Sequence, residues 1–206
     1  MPLLSHIKRT VTWGAALLCL CAAGSLRAER YLTIAQAQKL CFPEADTFER
    51  RVETFTAEQT RAIEKDSGIA VPLHGIPYCV ALKAGRPMGV LALDRVRGKH
   101  EQIDYAVAIG LDGHVRQVEI LEYRESYGHE VRSTKWRAQF AGKTAADKLR
   151  FNDDIYNISG ATISCRNVTE GVKRVLASYD LVVRPRVAVG LPAVLPNGTT
   201  PSAGGR

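Results

Sequence analysis

The 206-residue chain has no CxxC pair, no CxxCH run and no Cys/His spacing of the zinc-site kind. A thioredoxin-like dithiol, a c-type haem attachment and a structural or catalytic metal are therefore not expected. The hydroxyl-bearing stretch Ile158 to Cys165 lacks the Gly-Lys-Ser/Thr ending of a phosphate loop and the Gly-x-Ser-x-Gly elbow, so it reads neither as a P-loop nor as an α/β-hydrolase nucleophile turn. Its basic residues are scattered and form no Lys/Arg run, so no nucleic-acid partner is expected. No general acid/base pair stands out, and no catalytic residue is assigned.

What is present begins with a leader. Met1 to Thr10 carries Lys8 and Arg9 without an acid, and Val11 to Gly24 is a 14-residue uncharged apolar run. That run is short of the ~20 residues that span a bilayer. Residues 1–28 read as a secretory signal peptide, with an uncleaved anchor as the alternative. The chain carries 28 Lys/Arg and 21 Asp/Glu. Three of the basic residues (Lys8, Arg9, Arg27) lie in the leader, which lowers the balance from +7 to a mild +4. Of the five cysteines, Cys41, Cys79 and Cys165 lie beyond the leader. The odd number leaves at least one thiol unpaired and a Cys41–Cys79 disulfide open.

Residues 29–74 are expected to form a helical arm. Thr33 is placed as an N-cap, Pro43 as a break, Thr56-x-x-Gln59 as a capping box and Gly68 as a stop. Residues 76–123 read as strands. The runs IDYAVAIG and HVRQVEILEY around Asp112-Gly113 predict a hairpin, and Gly85-Arg86-Pro87 another turn. This is an antiparallel pattern and not a βαβ series. A helix follows, with Val168, Val172, Val175 and Leu176 on one face and Lys173 and Arg174 facing away. From Arg184 the Pro- and Gly-rich segment has no acid and reads as a disordered tail over residues 184–206.

Between hairpin and helix lies ISGATISC, Ile158 to Cys165. Gly160 and Ala161 allow close backbone approach to a ligand. Ser164 is placed as the helix N-cap, with Thr162 just outside. A helix N-terminus offers free N–H groups and a positive dipole end to a phosphate. The same hydroxyls also suit an ordinary loop and cap, and the pattern alone leaves both readings open.

ISGATIS resembles the signature of the FMN-binding domain family. That family includes the C subunit of the Na⁺-translocating NADH:quinone oxidoreductase and the G subunit of the Rnf complex. The Asp112-Gly113 hairpin, Glu125 to Val131 (ESYGHEV, where many members have Glu-Thr-Pro-Gly) and Gln139 to Lys143 (QFAGK) resemble family segments as well. The resemblance spans about residues 75–178. It implies an α+β fold, a twisted antiparallel sheet with flanking helices, in a domain over 75–183. It also implies FMN joined by a phosphoester to Thr162 through an Mg-dependent flavin transferase, with Ser159, Gly160, Ala161 and Ser164 at the phosphate. Glu125, Tyr127 and Gly128 would stand near the flavin.

One departure concerns the acid that many members carry six residues before the acceptor. Tyr156 stands there, and Asp153 and Asp154 are out of register. Several other residues have two readings. Tyr127, Trp136 and Tyr156 suit ring stacking or ordinary packing. Arg132, Lys135 and Arg137 suit a negative flavin or a solvated face. His129 beside Glu130 suits a proton relay or plain exposure. Cys165 suits a flavin-tuning thiol or a small core residue. The expectation is an exported electron-transfer flavoprotein, periplasmic or on the extracytoplasmic face of the membrane, with membrane or periplasmic redox partners. The alternatives are noncovalent FMN or phosphate binding, and a cofactor-free interaction domain.

Overall fold

The computed structural model describes residues 29–73, 75–125 and 127–188. The leader and the segment from 189 lie outside them, as does Ser126. The elements run β1 (Glu29–Arg30), α1 (Ile34–Cys41), β2 (Thr47–Thr54), α2 (Ala57–Ser67), β3 (Gly75–Lys83), β4 (Arg86–Arg97), β5 (Gln102–Gly110) and β6 (Val115–Tyr123). Short helical turns cover His129–Arg132, Thr134–Arg137 (α3) and Ala138–Phe140. The long helix α4 (Thr162–Ser178) continues through a π turn (Tyr179–Val183) into α5 (Arg184–Ala188). All strand pairs are antiparallel, in the order β1-β6-β5-β4-β3-β2. The expected α+β class, an antiparallel sheet with flanking helices, is the observed one.

Strands β3 to β6 form a meander because each hands over to the next through a local turn. Ala84 (φ 48) and Gly85 (φ 72) form a two-residue loop between the paired Lys83 and Arg86. Positive φ at both central positions matches the right-handed twist of a hairpin. This turn sits one residue earlier than expected. The β5–β6 hairpin turns at Leu111–His114 with Gly113 at φ 87, where Asp112-Gly113 predicted it.

Both faces of the sheet are covered. Tyr78, Val80, Val90, Ala92, Tyr105, Val107 and Val118 face one apolar cluster with Val168, Val172 and Val175 of α4. The alternate positions Cys79, Ala81, Leu91, Ala106 and Ala108 face a second cluster with Ala37, Cys41 and Phe42. The second face is built of small residues, so α1 lies close to it. A Cβ at Gly89 would stand 2.5 Å from the Phe42 ring. Period-two alternation with both faces apolar explains why these strands read as near-continuous hydrophobic runs.

Three expectations are corrected here. Residues 29–74 are not a helical arm: β2 pairs residue for residue with β3 along its whole length and forms a sheet edge. The capping boxes at Thr33/Gln36 and Thr56/Gln59 and the left-handed Gly68 are present. Only the strand between the helices escapes local pattern. Residues 184–188, expected in a disordered tail, are helical. Pro185 brings no N–H donor, and the widened turn ahead of it accommodates such a residue. Cys41, Cys79 and Cys165 are all free and buried, so no Cys41–Cys79 disulfide is formed. Burial pushes the Cys41 thiol up to about 12.

Arg174 does not face away from the core. It turns into the sheet and pairs with Asp94 at 2.6 Å, both side chains being about 10% exposed. The Tyr105 hydroxyl donates to the same carboxylate. A buried guanidinium is tolerable only when paired in this way.

Candidate cofactor-binding site

The site is built at the start of α4. Gly160 takes φ 88, and a Cβ there would meet nothing within 4 Å. The Ala161 N–H donates to the Ile158 carbonyl at 3.0 Å, which closes a turn into the helix. Ala161, not Ser164, is the N-cap, and no side chain caps the end. The helix therefore begins at Thr162, three residues before the start that a Ser164 cap would give. The first-turn amides of a helix have no intrahelical acceptor and lie at the positive end of its dipole.

Thr162 is exposed at this uncapped end. Its Oγ1 accepts a hydrogen bond from Asn157 Nδ2 at 3.0 Å. Ser164 is buried, and its hydroxyl meets Tyr123 Oη at 2.9 Å. Tyr123 donates its one proton to the Tyr127 carbonyl at 2.6 Å. Ser164 must then be the donor to Tyr123. What Ser164 can offer a phosphate is thus its backbone N–H and not its hydroxyl proton. Gly128, at φ 89, completes the knot. A Cβ there would stand 2.6 Å from Tyr123 Oη and 3.3 Å from Ser164 Oγ.

A cleft of about 470 Å³ opens over this end, within the usual range for small-molecule sites. Glu125, Tyr127, Gly160, Ala161, Thr162 and Ser164 line it, so six of the eight expected residues converge. Gly128 stands behind the wall, and Ser159 is exposed outside the lining. Tyr127 is 85% exposed at the rim. Three further lining residues, Lys99, His100 and Ile163, escaped the sequence reading. Ile163 belongs to the motif itself. Lys99 and His100 sit on the β4–β5 turn, whose Arg97-Gly98-Lys99-His100 run was the available signal.

The other expected residues lie elsewhere. Trp136 is buried edge-on against Phe140 at 5.2 Å, and its Nε1 donates to the Tyr156 carbonyl at 2.8 Å. It packs the core and does not face the cleft. Arg132, Arg137, His129 and Glu130 line a separate cleft of about 780 Å³ that lacks Thr162. There Arg132 lies 3.8 Å over the Tyr31 ring, and Arg137 donates to the Val118 carbonyl and pairs with the buried Glu119. Lys135 is exposed and lines neither cleft. Cys165 is wholly buried, and burial raises its thiol, which fits the core role and not a reactive one. The Tyr156 side chain is 68% exposed. Asp153 pairs with Arg150 at 3.4 Å, and Asp154 accepts the Arg150 N–H at 2.9 Å, so both acids serve their own loop.

These residues fit a flavin phosphate. The first turn of α4 supplies amide donors, Gly160 leaves open space beside them, and Thr162 offers a hydroxyl at the same place. Comparison with known proteins agrees. The structure matches the crystal structure of Shewanella oneidensis NqrC with a TM-score of 0.51 at 13% identity, covering 73% of this chain and 88% of that one. At such low identity the likeness shows the fold. The comparison with curated proteins gives no match. Residues 98–177 match the family model described as FMN-binding domain, and they span the cleft from Lys99 to Ser164. Over this segment the chain is similar to the FMN-binding domain family, and its fold is that of the NqrC structure.

Proposed function

We propose that the protein is an exported electron-transfer flavoprotein whose FMN is held in the Thr162 cleft through a phosphoester to Thr162. The carrying observation is the exposed Thr162 hydroxyl at the first turn of an uncapped 17-residue helix, on the wall of a cleft. Bound FMN would supply the one- and two-electron chemistry; the chain supplies attachment and orientation. The α4 amides would hold the phosphate, Thr162 would carry it, and the exposed Tyr127 would lie beside the ring. An ester at the phosphate leaves the ring free and prevents cofactor loss outside the cytoplasm. The N-terminal leader supports a periplasmic or extracytoplasmic location, with a flavin transferase for maturation and membrane or periplasmic redox partners.

The test is expression with a flavin transferase and export, followed by denaturing electrophoresis under ultraviolet light and intact mass. A fluorescent band and a gain of FMN less one water, mapped to the Thr162 peptide, are expected. A dark band with unmodified mass would overturn the ester. The second reading, noncovalent FMN, is favoured by Tyr156 at the place of the usual acid and by the local pairing of Asp153 and Asp154. Under it, flavin is lost on denaturation.

A further inference from the structure

Glu125 looks like a cofactor ligand from its place in the sequence, but its carboxylate is already engaged. Oε1 accepts the backbone N–H groups of His100 and Glu101, the latter at 3.0 Å, from the far side of the cleft. The turn it holds is tight: the Gly98 N–H donates to the Glu101 carbonyl at 2.7 Å. Gly98 leaves no room for a side chain, since a Cβ there would stand 2.5 Å from that same Oε1. One carboxylate oxygen thus fixes the β4–β5 turn against the segment after β6, two pieces of chain about 25 residues apart.

What the latch presents is basic. Lys99 and His100 are both exposed and both line the cleft that contains Gly160, Ala161 and Thr162. Lysine contributes a fixed positive charge, and a histidine ring N–H donates in either protonation state. They face the end of α4 where first-turn amides lack acceptors. An anion in this cleft would be met from two sides, by helix amides on one and by the Lys99 ammonium and the His100 ring N–H on the other.

We propose that the Gly98–His100 turn is the second wall of the phosphate site. Lys99 and His100 take phosphate oxygens opposite the α4 amides, and Glu125 is a positioning residue that latches the turn and does not itself touch the flavin. This deepens the FMN reading and rests on it.

The experiment uses the full chain with Thr162→Val, which leaves the cleft free of esterified cofactor. Free FMN and riboflavin are titrated by flavin fluorescence, the two differing only in the phosphate. FMN is expected to bind more tightly than riboflavin. Lys99→Ala and His100→Ala should each cut that preference about three- to tenfold, as exposed charged contacts do, with riboflavin binding unchanged. Glu125→Ala should cut it as much as the Lys99→Ala/His100→Ala pair. Glu125→Gln should restore most of it, because its amide oxygen accepts the same N–H bonds. A preference that survives the paired variant overturns the second wall. If Glu125→Ala leaves the preference intact while Lys99→Ala lowers it, the latch is overturned. If neither flavin binds, the noncovalent reading falls and the second wall with it, while the ester stands or falls on the denaturing gel and mass.

Discussion

Helix α4 has two ends of opposite character. Its middle and far end are locked: Val168, Val172 and Val175 are buried against the sheet, Arg174 is paired with Asp94, and Gly171 lies against the Tyr105 hydroxyl. Its first turn is the reverse, with Thr162 and Ile163 exposed, no capping side chain, and open space at Gly160. Leaving a helix end uncapped costs about 1 kcal/mol. The lesson is a division of labour along one element: stability is placed where the helix meets the sheet, and unsatisfied donors are left where a ligand can use them.

Breaking the locked end should have the largest effect. Asp94→Ala removes the partner of a buried guanidinium and leaves the Tyr105 hydroxyl without its acceptor. A loss of ~3–5 kcal/mol is expected in urea denaturation. Pairing Asp94→Ala with Arg174→Met should return much of it, since the stranded charge is gone. A loss under 1 kcal/mol for Asp94→Ala alone would show that the pair is not the lock described.

Two glycines sharpen the contrast. A Cβ on Gly171 would stand 2.1 Å from Tyr105 Oη and 2.8 Å from Val96 Cγ1, on a ring and a strand that are themselves buried. Gly→Ala inside a helix normally gains ~1 kcal/mol. Overpacking costs ~1–3 kcal/mol, so Gly171→Ala should be net destabilising. Gly160→Ala meets no atom and bears only the left-handed backbone, ~1–2 kcal/mol. Thermal melts should therefore show both variants destabilised by no more than ~2 kcal/mol, and only Gly160→Ala should impair flavin loading beyond its effect on folding. Loading impaired by Gly171→Ala and spared by Gly160→Ala would undo the division.

How much of this was legible depends on how local each cause is. The Asp112-Gly113 turn, the Thr33 cap and the Thr56/Gln59 capping box are set by residues within a few positions of each other, and they stand where the sequence placed them. β2 was missed because TFERRVET is charged and exposes Val52, so its strand character comes from pairing with β3 some 25 positions on. Arg174 was read as solvent-facing because its charge, on the helix, outweighed a partner that only the fold supplies. At the site, six of eight residues converge because the motif and the Glu125–Tyr127 segment are each short. Lys99 and His100 were missed for the opposite reason: their basic turn is tied to the cleft by a non-local bond, the His100 N–H donating to Glu125, 25 residues away.

The smallest effect on stability is expected at the exposed end itself. Thr162→Val keeps a β-branched side chain and removes a hydroxyl whose bond with Asn157 lies at the surface, where water can replace it. The change should be about 0.5 kcal/mol or less, as for ordinary surface positions. Yet the same substitution removes the oxygen that would carry the phosphate. In protein exported with a flavin transferase, Thr162→Val should give a melt like the parent's, a dark band on a denaturing gel, and a mass without flavin. A fluorescent band surviving in this variant would place the attachment on another residue. A fall in stability as large as that of Asp94→Ala would mean that the first turn of α4 is held as firmly as its middle, and the contrast between the two ends would be lost.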